Sequence, residues 1–462
     1  MEKYDLVVIG SGPAGEKAAI QAAHYRKRVA VVESRGVVGG VCVHTGTLPS
    51  KTLRETVLYL AGIRQRSVYG VVCSLKSNVT IGELMYRTEH VIQNELEVIQ
   101  DKLMRNGINI IGGRGRLLSP NQVEIRDESG NTQVLETNVV IIAAGSRPYH
   151  DPDVVFDDTF VFDGETILKL DRIPRSMIIV GGGVIGCEYA CIFAHLGVRV
   201  TILESRERLL PFLDREISET LTFLMRKNRV RVILGDQKKS LAIKDDEVHL
   251  MTQSERHLIA DKVLFAVGRI GNTGDLGLDK LGIRTDERGL IQVDEHFYTG
   301  VGKIYAVGDV VGFPSLASVS MDQGRLAARH AFEKKDVALN TLLPYGIYTI
   351  PEVSIVGETE EGLNRKGTAF ETGVAHFYEL ARGQIAGDHD GVLKLIFCPH
   401  TRRILGVHII GEQATDLIHI GQAVMSFGGT IDYFIETVFN FPTMSEAYKL
   451  AALNGLGNIT RP

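Results

Sequence analysis

Cysteine is scarce and poorly spaced in this chain. Cys42, Cys73, Cys187, Cys191 and Cys398 form an odd set with no Cys-x-x-Cys among them. That excludes the disulfide framework of a small secreted domain and suits a reducing cytoplasm. Long apolar runs are missing too. None could span a bilayer, and a strand pattern starts at Tyr4, ahead of any room for a signal peptide. Charge of one sign is also lacking: the formal net charge is −5, with no long block of either sign. This argues against nucleic acid or an anionic membrane surface as partner. What remains is an average globular composition, 44% apolar and 23% charged. Its length suffices for about three domains, each with a core of its own.

Glycine is the residue in excess, with 49 copies, many of them at strand ends. Leu6 to Ile9 reads as a buried strand that runs into Gly10-Ser11-Gly12-Pro13-Ala14-Gly15 and an Ala-rich helix. A second strand, Val29 to Val32, stops at Glu33. Strand, G-x-G-x-x-G, helix, strand and acidic residue together make the dinucleotide fingerprint. The glycines allow a pyrophosphate to approach the helix N-terminus, and Glu33 is placed to accept ribose hydrogen bonds. The pattern recurs. Met177 to Val180 leads into Gly181, Gly183 and Gly186, a helix over Cys187 to Leu196, and a strand ending at Glu204. Ile141 to Arg147, through Gly145, closes the first unit, and Leu264 to Arg269, through Gly268, closes the second.

These marks predict an α/β protein with two Rossmann-like nucleotide-binding domains, the second inserted in the first, and a C-terminal α+β domain. The expected boundaries are 1–149 for the first part of one nucleotide domain, 150–272 for the other, 273–342 for the return segment and 343–462 for the last domain. In that last part, strands are expected at Val392 to Phe397 and Ile404 to Ile410, and helices over Ala414 to Met425 and Ser445 to Leu453.

Between the first fingerprint and its closing strand lies Gly39-Gly40-Val41-Cys42-Val43-His44-Thr45-Gly46-Thr47-Leu48-Pro49-Ser50-Lys51, with a helix expected from Ser50 through Tyr59. Paired glycines admit something flat or charged close to the backbone. The segment resembles the redox-active stretch of the class I pyridine nucleotide-disulfide oxidoreductases, and the resemblance extends over the whole chain. It implies FAD in the first domain, held by Gly10, Gly12, Gly15, Glu33, Gly40, Lys51, Gly145 and Asp309 of Ala-Val-Gly-Asp. It implies a nicotinamide nucleotide in the second, at Gly181, Gly183, Gly186, Glu204, Arg206 and Gly268. Dimerisation through the last domain follows, as a homodimer or a higher homo-oligomer, and so does a Lys51–Glu188 pair beside the flavin. Tyr348 to Glu352 and Pro442 to Glu446 match family signatures of that domain.

Two departures fall on the dithiol machinery of that family. Cys42 matches its first redox cysteine, but Thr47 stands where the second should be, and an intrachain disulfide needs two sulfurs. The family's histidine base before Pro-Thr-x-x-Glu446 is here Phe441, and a phenyl ring cannot shuttle a proton. One branch resembles this chain in detail: the soluble pyridine nucleotide transhydrogenases, with their Cys-x-His-x-Gly-Thr segment and Phe-Asn-aromatic-Pro-Thr-Met. The expected activity is hydride exchange between NADPH and NAD⁺ through FAD, with Lys51, Glu188, Cys42, Thr47 and Glu446 as the catalytic set and no metal. An acidic Glu204 favours NAD(H) by bonding the ribose hydroxyl and repelling a 2′-phosphate. Arg206 and Arg208 are either phosphate partners or a solvated turn. His44 is either a partner of Cys42 or structural. Cys187, Cys191, His408 and His419 read as packing positions. A quinone or other small-acceptor reductase and a non-catalytic sensor of NADH/NAD⁺ are the rival functions.

Overall fold

The computed structural model describes residues 2–65, 80–333 and 338–460; Cys73 lies outside the described residues. Three sheets carry the architecture. The first has parallel strands Asn109–Gly112, Val29–Glu33, Glu2–Ile9 and Thr132–Ile142, with Ile304–Ala306 returning late in the chain to pair beside the last of these. Two antiparallel strands, Gln122–Arg126 and Arg114–Ser119, extend it. Both faces are covered, which explains the unbroken apolar run at its centre. Leu6 and Val8 pack with Ala14, Ala18 and Leu326 of the helices on one side, while Val7 and Ile9 meet Leu117, Val123 and Ile125 on the other. Each such burial contributes about 1.5–3 kcal/mol.

The second sheet is parallel throughout, in the order Arg231–Leu234, Arg199–Glu204, Ser176–Val180, Lys262–Phe265, Val161–Asp163. Met177, Ile179 and Ile202 face the helices Val184–His195 and Arg215–Lys227. Ile178, Val180 and Val263 face Val248 and Leu250 of a three-stranded meander over 238–260, which the sequence pattern had not foretold. The third sheet is antiparallel and holds Glu352–Gly357, Ile404–Gly411 and Val392–Phe397 among its five strands. Helices Ala414–Ser426 and Glu446–Thr460 pack on it. The expected α/β architecture with an α+β third unit is what the chain adopts. No described helix is long and apolar enough to cross a membrane.

The second unit is fastened to the third through Lys394. This lysine is 1% exposed and its ammonium bonds Asp214 and Glu216 at 2.9 Å each, and Glu360 as well. Burial alone would lower its pKa, but the three carboxylates override that and raise it. Breaking such a buried cluster from one side leaves an uncompensated charge and costs about 3–5 kcal/mol.

Candidate active site

Two clefts open at the carboxyl ends of the parallel sheets, where open α/β sheets bind ligands. The first, of about 710 Å³, is lined by Gly10, Gly12, Glu33, Gly40, Cys42, Thr47, Gly145 and Asp309, among others. Gly10 turns the chain at φ 105°, and a Cβ there would lie 2.3 Å from the Ala143 carbonyl oxygen. Gly15 is not on the wall. It lets helix Pro13–His24 approach the strand, since its Cβ would sit 1.9 Å from the Gly10 oxygen. No side chain caps that helix, so its first N–H groups remain available to an anion. Glu33 Oε2 accepts from the Ser11 amide at 3.1 Å and hydroxyl at 2.5 Å, and its Oε1 accepts from the Arg35 amide at 2.8 Å.

A glycine pair completes the floor. Gly12 and Gly40 approach so closely that a Cβ on Gly40 would meet the Gly12 Cα at 2.8 Å. A long, flat cofactor with a pyrophosphate fits this donor set: an open helix end, a glycine floor and a carboxylate at the second strand's end.

The second cleft, of about 1170 Å³, is lined by Gly181, Gly183, Glu204, Arg206, Gly268, Lys51 and Glu188. Gly186 repeats the role of Gly15, with a Cβ that would fall 1.9 Å from the Gly181 oxygen. Thr47, Ser146 and Asp309 line both clefts, which therefore meet at these residues. Ser146 donates to Asp309 at 2.9 Å and accepts from Arg269 at 2.8 Å, and Arg269 also holds Glu165 at 2.8 Å. Both Ser146 and Arg269 stand in the closing motifs of the two units, where the sequence marked boundaries but not this contact.

Lys51 lies on helix Thr47–Gln65, which starts three residues earlier than expected. Its ammonium meets Glu188 of the second unit at 2.7 Å. Glu188 is only 5% exposed, so this is no solvated surface pair. Its other oxygen accepts from the Tyr348 amide at 2.9 Å, and the Lys51 ammonium stands 5.1 Å from the Tyr348 ring centroid. The helix is anchored behind by Arg54, which bonds the Thr349 carbonyl at 3.0 Å and Glu352 at 3.3 Å.

Cys42 sits on a short helix, Gly40–His44, and shares the wall of the first cleft with Thr47. Burial pushes the thiol above its ordinary range; Thr47 and Lys51 pull the other way without prevailing. His44 is structural: its Nε2 bonds the Val38 carbonyl at 2.8 Å. Cys187 and Cys191 are core residues whose thiols burial raises far out of use, the second to about 12. His408 is buried on the Glu358 carbonyl as a packing position, but His419 is exposed and bonds Gln422, which corrects its expected place.

At the far strand end, Glu204 is clamped. Arg206 reaches both its oxygens at 2.8 Å, and the amides of Gly182 and Arg206 add bonds of 2.6 and 2.9 Å. Burial pushes the Glu204 carboxyl up, but these bonds outweigh it and hold the carboxyl below its usual range. Arg208 points elsewhere, to Glu361 at 2.8 Å and the Pro211 carbonyl at 2.7 Å. Phe441 and Glu446 line neither cleft of this chain, and Phe441 is exposed.

The comparisons with known proteins agree with this geometry. The family model described as pyridine nucleotide-disulphide oxidoreductase matches residues 4–324, and that family's dimerisation domain matches 343–452. A soluble pyridine nucleotide transhydrogenase of Mycobacterium bovis is 47% identical over 98% of this chain and 97% of its own. One from Hahella chejuensis is 43% identical over 99% of each. The crystal structure of LpdA from Mycobacterium tuberculosis superposes with a TM-score of 0.90 at 25% identity, covering 98% of this chain and 99% of that one.

Proposed function

The chain belongs to the pyridine nucleotide-disulphide oxidoreductase family, and on that premise we propose that it is a soluble, FAD-dependent transhydrogenase moving hydride between NADPH and NAD⁺ without a redox-active disulfide. The observation that carries this reading is the environment of Cys42. The residue that shares its cleft wall, where the family's second cysteine would stand, is Thr47, while the Lys51–Glu188 pair is fully built at 2.7 Å. Thiol relay chemistry has no second sulfur there, and the two glycine-lined clefts with their acidic strand ends support the reading of two dinucleotides.

In this reading the first cleft holds FAD and the second takes NAD(H) and NADP(H) in turn. Bound FAD supplies a centre that accepts and returns a hydride. The residues orient and compensate charge. Gly10, Gly12 and Gly40 admit the pyrophosphate, the open helix end neutralises it, and Glu33 fixes the ribose. Asp309, steadied by Ser146, supports the chain that leads to the reactive ring. Lys51 puts positive charge on the wall of the second cleft, one helical turn from Thr47, and Glu188 keeps it there through its bond to the Tyr348 amide. Gly181, Gly183 and Gly268 admit the second dinucleotide. Glu204 bonds the adenosine ribose of NAD(H), and Arg206 offers a countercharge to the 2′-phosphate of NADP(H). A homodimer, formed through the third unit, would be the working form in the cytoplasm.

Stopped-flow reduction by NADH and by NADPH, followed by reoxidation with each oxidised nucleotide and with quinones, tests this. Flavin reduced by one nucleotide and reoxidised by the other is expected, and dihydrolipoamide should not reduce NAD⁺. Brisk NAD⁺ reduction by dihydrolipoamide would sink the reading, and reoxidation by quinones alone would replace it with a small-acceptor reductase.

A further inference from the structure

Phe313 is distinguished by where its exposed ring stands. Its side chain is 75% exposed, yet it stands on the wall of the second cleft. On a cleft wall, a ligand's flat apolar face laid over such a ring would remove both surfaces from water. The ring is not isolated. It stacks on Tyr345 with centroids 6.1 Å apart and planes 16° apart, and Tyr345 packs on Phe212 at 4.9 Å. The three rings form a ladder from the core outwards, and the last rung keeps much of its surface open. Gly312, at φ 96°, sets the backbone turn that presents it.

The ladder belongs to the end of the cleft where Lys51 stands. The charges of Glu188 and Asp309 act, after burial, on the Tyr345 phenol, and Tyr348 lies under the Lys51 ammonium. Glu204 and Arg206 mark the other end, at the tip of strand Arg199–Glu204. A dinucleotide with its ribose at Glu204 carries at its opposite terminus a flat ring, cationic when oxidised. Such a ring finds an aromatic face favourable by stacking and by cation–π attraction.

We propose that the open side of Phe313 is a stacking subsite for the nicotinamide ring, making Phe313 a positioning residue for hydride transfer. This rests on the reading of the second cleft as a nicotinamide nucleotide site. The Phe313–Tyr345 ladder then holds the ring in register beside Lys51, while the adenosine end is held independently.

The test compares two ligands on the FAD-loaded protein. NAD⁺ carries the ring, and ADP-ribose carries the same adenosine diphosphate without it. Phe313→Ala should weaken NAD⁺ by about three- to tenfold and leave ADP-ribose unchanged. It should also slow flavin reduction by NADH at saturation, and Phe313→Tyr should restore both. Equal loss for the two ligands, or no loss for either, overturns the proposal. So does a shift in oligomeric state with NAD⁺ binding unaltered, which would make the ring a subunit contact. Failure of wild-type protein to bind ADP-ribose would instead refute the nucleotide reading of the cleft itself.

Discussion

The two nucleotide units repeat one another at their glycine turns and differ at the carboxylate. Gly10 and Gly181 make the same turn, and Gly15 and Gly186 the same close approach. Glu33 and Glu204 each accept the amide of the residue after the first glycine and the amide two residues on. The residue after that glycine is Ser11 in one unit and Gly182 in the other. Glu33 takes a neutral hydroxyl there, while Glu204 is gripped by the Arg206 guanidinium. A hydroxyl leaves the carboxylate's charge uncompensated, whereas a guanidinium cancels it. One fold thus ends in a bare negative strand end in the first unit and a compensated one in the second, which on the proposed function suits a resident cofactor and an exchanging substrate.

The largest effects should come from filling the space the matched glycines leave. Gly15→Val and Gly186→Val each drive a side chain into a backbone carbonyl, an overpacking of about 1–3 kcal/mol or more. Gly15→Val should lose flavin on purification. Gly186→Val should keep flavin but no longer be reduced by NADH. If both variants lost flavin equally, the assignment of one ligand to each unit would be wrong.

Next in size is the contact between the units. Lys51→Met should cut the rate of flavin reduction about 100-fold, as loss of a charge aimed at the reacting centre does. Glu188→Gln keeps the bond to the Tyr348 amide and should cost about tenfold. Flavin content should hold in both, and equal rates in variant and wild type would remove Lys51 from the chemistry.

Smaller, but sharper for the comparison, is the exchange of charges at Glu204. Glu204→Ala should raise the NADPH/NADH ratio of kcat/KM about tenfold by freeing the Arg206 guanidinium for the 2′-phosphate and removing the ribose acceptor that favours NADH. Arg206→Ala should lower it by a similar factor, because Glu204 is then bare. Ser11→Ala, the matching change in the first unit, should leave the ratio alone. An unmoved ratio in the Glu204 and Arg206 variants would mean that the strand end does not read the phosphate.

The smallest effect is expected at Cys42. Cys42→Ser should stay within about threefold of wild type, the size of one neutral hydrogen bond. Burial raises the thiol, so less thiolate is present at any given pH than for a free cysteine. Alkylation should be slow at neutral pH and quicken only as the solution becomes alkaline. Rapid inactivation by a thiol reagent at neutral pH would instead give the Cys42 thiolate a direct part in turnover.

Much of this was legible because it is local. The two fingerprints, their closing strands and the acidic strand ends lie within short stretches whose glycines admit few conformations. Lys51 and Glu188 were legible only through resemblance, since 2.7 Å between residues so far apart in sequence is a product of tertiary packing. The Arg206 clamp was half legible: the sequence showed an arginine two residues after Glu204 but not which way it turned. Lys394, Ser146 and Phe313 gave no signal. A lysine in an apolar strand, a serine after a glycine and a phenylalanine before a proline acquire meaning only from what packs against them. The meander over 238–260 was missed because its strands are short and their alternation is blurred by apolar residues that face outwards, Ile243 and Ile259.

The late pairing of Ile304–Ala306 with the first sheet has a bearing on how the protein is made. That strand lies beside Val140 to Ile142, and helix Ala317–Glu333 closes on the first helix, with Gly324 tight against Ala14. The first unit therefore remains unfinished on the ribosome until after residue 333 has emerged. The sheet of the second unit is complete by Phe265. Birth order and completion order are reversed: the half begun first receives its last strand and helix second, after the chain of its neighbour's sheet has been made. Protease protection of arrested nascent chains should appear in the inserted segment before it appears in residues 2–65.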